Sequence, residues 1–140
     1  MKIIIANRHN VNDIIKSQKR KFSIIAISDP FAEIISYQTQ NNSFCGLLKL
    51  SFYDCSPTVF QDRRYIYNTD FHEGIIAFVR VMLVLDVQVL VIHCEKGRHR
   101  SYAIALGLVM FFREHEMEIL NVPDSEPNFY VLNFFKANII

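Results

Sequence analysis

The run VLVIHCEKGRHRS, residues 89–101, places a cysteine, a glycine and an arginine at spacings that could do chemistry. If the loop from Glu95 to Arg100 curls so that its successive N–H groups converge, it forms an anion nest, and Gly97 eases that path by tolerating φ > 0. The nest draws on Cys94, Glu95, Lys96, Gly97, Arg98, His99 and Arg100, and phosphate fits it. The helix that follows adds unpaired N–H groups and a positive dipole end. These features and Arg100 stabilise a thiolate over a thiol at Cys94, and a thiolate is a nucleophile at physiological pH. Arg100 can present its planar fork to two oxygens of a phosphoryl group, a geometry lysine cannot reproduce. Ser101 can hydrogen-bond the sulfur when it departs. The implied reaction is attack of sulfur on phosphorus, a cysteinyl-phosphate intermediate, then hydrolysis by water. His93 reads as a buried hydrogen-bonding neighbour that orders the loop rather than as a general base, because a thiolate needs none.

Such a loop needs a buried strand before it and a buried helix after it. Strand-like runs occur at Ile3 to Ala6, Ser23 to Ile27, Leu47 to Phe52 and Val87 to His93, with helix-like segments between them. That alternation predicts a single α/β domain over residues 1–140, a mainly parallel sheet with helices on both faces. One helix is expected from Thr69 or Asp70, either of them a good N-cap, to about Leu85. Another carries Tyr102 to Phe112, apolar on all sides and therefore buried. A third follows Pro127 with Phe129, Leu132, Phe135 and Ile139 on related faces. The basic patch Lys16 to Lys21 and the run Arg113 to Glu118 read as solvated helix faces or ends. The loop then lies at the carboxyl end of a strand, where open α/β sheets bind ligands.

Composition limits the partners. Fifteen basic against fourteen acidic residues leave the 140-residue chain near neutral, so bulk charge argues for neither nucleic acid nor a membrane surface. The longest apolar run, Tyr102 to Phe112, falls short of the roughly 20 residues a membrane helix requires. The apolar run before Arg8 and His9 is too short for the core of a secretory signal, and a soluble protein is expected. Three cysteines without a CxxC fit neither a disulfide scaffold nor a four-ligand zinc site, and a reducing cytoplasm suits them. The five histidines show no HExxH-like spacing, so no metal is expected and the chemistry requires none. Cys45 reads as a small core hydrophobe. Cys55, beside Asp54, is a candidate disulfide partner for oxidised Cys94.

The stretch HCEKGRHRS, His93 to Ser101, resembles the HCxxGxxR(S/T) signature of cysteine-dependent protein tyrosine phosphatases, and the chain order is similar to their compact dual-specificity branch. The close match covers Val89 to Gly107, and weaker similarity to short bacterial and phage members extends to LLKLSFYD, TDFHEGIIAFV and PNFYVLNFF. The resemblance implies hydrolysis of phosphotyrosine and of phosphoserine or phosphothreonine monoesters in proteins, with no cofactor. Many members carry a small residue where Lys96 stands. The basic trio Lys96, Arg98 and His99 either selects a polyanion, such as an inositol phospholipid or an RNA 5′-triphosphate, or points to solvent, and the second reading is preferred. Nucleic acid is expected only if such an RNA end is the substrate. No counterpart appears of the longer segment that gives tyrosine-only enzymes a deep pocket, which implies a shallow site.

A poor leaving group needs a carboxylic acid to protonate the departing oxygen. Asp70 is set aside because it caps or opens a helix. Asp54 ends the strand LLKLSFYD, and a strand parallel to Val87–His93 places it at the same sheet edge as the loop. The family resemblance points the same way. Asp62, in QDRR, is the alternative general acid, carried by a loop that could fold over the site. Two rival functions remain. A sulfurtransferase has a similar loop, usually one residue shorter than the five that separate Cys94 from Arg100. A catalytically silent module would bind phosphorylated partners without turning them over, a reading that intact Cys94 and Arg100 oppose.

Overall fold

The computed structural model describes residues 1–33, 35–40, 42–56, 58 and 62–137. Its elements are β1 (Lys2–Asn7), α1 (Val11–Lys16), β2 (Phe22–Ser28), β3 (Phe44–Ser51), α2 (Thr69–Val84), β4 (Val89–Cys94), α3 (Arg100–Phe111), β5 (Glu118–Ile119) and α4 (Phe129–Ala137). The sheet runs in the order β3-β2-β4-β1-β5, and every pairing is parallel. Both faces of β4 are covered, so all its residues are buried, which is why VLVIHC reads as a continuous apolar run rather than an alternating one.

Side-chain alternation assigns the faces. Ile3, Ile5, Ile25, Ile27, Leu90 and Ile92 pack with α2, α3 and α4, whereas Ile24, Ala26, Val89 and Val91 pack with Val11 and Ile15 of α1. Register partners such as Ile25 and Ile92 share a face, as a period of two requires. Between Arg100 and Phe112 no residue is exposed, in keeping with a helix apolar all round. A Cβ on Gly107 of α3 would stand 2.2 Å from the Phe135 ring of α4. Glycine is thus what lets these two helices touch and seats α3 beneath the loop it follows.

Several boundaries differ from the expected ones. The cap of α2 is Asn68, whose side chain accepts from the Phe71 N–H at 3.1 Å; Thr69 and Asp70 lie inside the first turn. Strand β3 begins at Phe44, three residues before the expected Leu47, because its edge position leaves it half-buried and less hydrophobic. The run Arg113 to Glu118 is not one helix face. Arg113–His115 form a single 3-10 turn, Glu116 is left-handed at φ 52°, and Glu118 enters β5, where its carboxylate pairs with Lys2. The basic residues from Lys16 to Lys21 are exposed at the end of α1 and the turn after it. Helix α4 carries Phe129, Leu132 and Phe135, while Ile139 lies outside the described residues. No helix among the described residues is long and apolar enough to cross a membrane.

Candidate active site

Parallel strands bring three chain segments to one sheet edge. Strand β4 delivers Cys94 and the loop Glu95–His99, β2 delivers Asp29, and β3 delivers Tyr53, Asp54 and Cys55. Together they line an open cavity of about 580 Å³ that includes Cys94, Glu95, Lys96, His99 and Arg100.

The loop is seated on β1. Gly97 has φ +67°, and a Cβ there would lie 2.7 Å from the Ala6 carbonyl oxygen. The Arg8 N–H also donates to the Glu95 carbonyl at 3.2 Å, and the Arg8 guanidinium lies 3.7 Å from the Glu95 carboxylate. A side chain at position 97 meets both a strained backbone and a rigid neighbour. Gly97→Ala is expected to cost more than the roughly 1–2 kcal/mol of left-handed strain alone. Differential scanning calorimetry should show the melting temperature falling by several degrees, and phosphate affinity should fall with it. An unshifted melting temperature would mean that the loop does not need this backbone.

Cys94 is 3 % exposed, with Sγ 3.2 Å from the Ser101 hydroxyl in the first turn of α3. Arg100 is 4 % exposed. Its Nη1 donates at 2.7 Å both to Asp29 Oδ1 and to the Phe52 carbonyl. A buried guanidinium needs such partners, and among the described residues neither Nε nor Nη2 is engaged. Asp29 was missed from sequence, although the argument that selects Asp54 as a strand end applies equally to FSIIAISD. It holds Arg100 from the side of β2.

Asp54 lines the cavity, and its Oδ1 accepts from Asn128 Nδ2 at 2.7 Å. Asp62 does not line it. Its side chain caps the 3-10 turn Arg63–Tyr65, accepting from the Arg64 N–H at 3.1 Å and from the Arg64 guanidinium at 3.1 and 2.8 Å. Those guanidinium bonds hold the Asp62 carboxyl below the ordinary carboxylate range.

His93 is buried behind Cys94, with Nε2 2.6 Å from the Tyr37 hydroxyl. Burial pushes its pKa down to about 4, so the ring is neutral near pH 7. The basic trio divides. Lys96 and His99 line the cavity, and Arg98 does not. His99 donates through Nδ1 to the Glu126 carbonyl at 2.8 Å. Cys55 lines the cavity as a free thiol whose pKa is raised, first by burial and then by Asp54. Cys45 is a half-buried free thiol on β3. Among the described residues no three His, Cys, Asp or Glu side chains are grouped to hold a metal ion.

A scan of protein-family models gives no match, and neither curated proteins nor solved structures match the chain. What the site can do must be read from its own groups: a buried sulfur beside a hydroxyl, a paired guanidinium with donors left over, and a carboxyl across the cavity.

Proposed function

We propose that this protein is a cysteine-dependent phosphatase acting on phosphotyrosine, and on phosphoserine or phosphothreonine, in proteins. The observation that carries the reading is Cys94 Sγ at 3.2 Å from Ser101 Oγ, in a cavity shared with Arg100 and Asp54. A phosphate dianion seats on the loop N–H groups and on the unengaged donors of Arg100. Sulfur attacks phosphorus, the bond to the ester oxygen breaks, and Asp54 supplies the proton that oxygen needs. Water then attacks the cysteinyl-phosphate, its proton passes to the Asp54 carboxylate, and the sulfur leaves as a thiolate stabilised by the Ser101 hydroxyl. Inorganic phosphate departs. Nothing in this sequence calls for a metal ion, and the free thiols suit a reducing cytoplasm.

The second reading, a phosphatase of inositol phospholipids or RNA 5′-triphosphates, draws on Lys96 at the cavity wall. Asp29 and Glu95 line the same cavity, and carboxylates there oppose a polyanion. Assaying purified protein in chelator against phosphotyrosine and phosphoserine peptides, an inositol phospholipid and triphosphorylated RNA separates these readings from a silent binding module. Because Lys96 lines the cavity and Arg98 does not, Lys96→Ala should weaken any polyanion hydrolysis by about tenfold, and Arg98→Ala should leave it nearly unchanged. Equal effects of the two substitutions on every substrate would remove the polyanion reading.

A further inference from the structure

Asp54 and the phosphate loop come from distant stretches of the chain, and one half-buried residue, Asn128, bonds to both and caps α4. Asn128 donates through Nδ2 to Asp54 Oδ1 at 2.7 Å. Its Oδ1 accepts from the Val131 N–H at 3.1 Å, capping α4. Its backbone N–H donates to the His99 carbonyl of the phosphate loop at 3.0 Å. We propose that Asn128 is a positioning residue that fixes the Asp54 carboxyl over the phosphate loop, an inference that rests on the phosphatase reading.

The amide has no freedom to turn. A flip would set its oxygen against the carboxylate and its N–H₂ against the Val131 N–H, losing both bonds. Asp54 lies beyond the end of β3 on an exposed loop, and among the described residues its carboxyl makes no other hydrogen bond. Without the amide it would sample several rotamers, and misplacement of a catalytic group by about 1 Å can cost as much as ~10²-fold in rate. The bond also distinguishes the two oxygens. With Oδ1 taken by a donor that cannot accept a proton, Oδ2 is left to carry the proton delivered to the leaving group.

The position of Asn128 is itself set from two sides. Asn121 brackets Ile5 of β1, accepting from its N–H at 2.8 Å and donating to its carbonyl at 2.7 Å. The Glu126 carbonyl receives His99 Nδ1–H at 2.8 Å. The segment from Asn121 to Asn128 is thus strapped to the sheet and to the phosphate loop, and it carries their frame of reference to Asp54.

Asn128→Ser retains a capping oxygen but is too short to reach Asp54, so the fold survives while the tie is lost. On a phosphotyrosine peptide kcat/KM should fall about tenfold, whereas on a highly activated aryl phosphate it should change less than about twofold. In an Asp54→Ala background the same substitution should cause no further loss, since its effect acts only through that carboxyl. Equal losses on both substrates, a loss that persists without Asp54, or no loss at all would each overturn the proposal. If wild-type protein turns over no phosphomonoester, the phosphatase reading fails separately. The tie is then judged by NMR: Asp54→Ala should shift the Asn128 side-chain amide resonance and speed its hydrogen exchange, and an unmoved resonance would overturn it.

Discussion

Cys94→Ser is expected to reduce phosphomonoester turnover to background while leaving phosphate or vanadate affinity within a few-fold of wild type. The two outcomes separate because they depend on different groups. On the proposed reading, binding rests on the loop backbone, held in place by Gly97 against Ala6, and on the guanidinium that Asp29 and the Phe52 carbonyl orient. None of these contacts involves the sulfur. Turnover needs a nucleophile that is ionised before the substrate arrives, and a serine hydroxyl becomes one only with an adjacent base. Among the described residues no base is hydrogen-bonded to the Cys94 sulfur. His93 is neutral, but its Nε2 is engaged with the Tyr37 hydroxyl, and the neighbour of Cys94 is another hydroxyl, Ser101. Serine is close to cysteine in shape, so a site at 3 % exposure should tolerate it without opening a cavity. Phosphatase assay and isothermal titration with vanadate measure the two quantities. Undiminished turnover would sink the assignment of Cys94, and lost binding with lost turnover would mean that the sulfur helps to build the loop.

The strand, loop and helix around Cys94 were legible because the information is local. VLVIHC is apolar throughout, as a central parallel strand must be; a glycine stands where the chain needs positive φ; and the following helix is apolar on every side. Elements set by few residues were not legible in this way. Strand β5 spans Glu118–Ile119 and exists only because β1 offers it an edge. The cap of α2 went to Asn68 rather than Thr69, a choice among neighbouring polar residues that all suit the position. Asp29 and Asn128 act through hydrogen bonds to residues 71 and 74 positions away. No spacing rule on a single sequence reports such a contact, although strand-end logic could have proposed Asp29. For the proposed general acid, sequence could only rank Asp54 above Asp62, since the choice turns on loop geometry. The structure places Asp54 on the cavity and turns Asp62 toward Arg64.

That difference makes the acid testable. Asp54→Ala should lower kcat/KM on a phosphotyrosine peptide by ~10²-fold or more, because the departing phenolate oxygen loses its proton donor. On an aryl phosphate whose leaving group is already a stable anion, the rate should stay near that of wild type. The alkaline limb of the pH profile should disappear with the carboxyl, since that limb reports ionisation of the acid before the reaction begins. Asp62→Ala supplies the control. It removes a cap and an exposed ion pair with Arg64, contacts whose contribution to stability is small, so both substrates should react at nearly wild-type rates with the alkaline limb intact. If Asp62→Ala shows the leaving-group dependence and Asp54→Ala does not, the turn after β3 folds over the cavity during turnover and carries the acid itself.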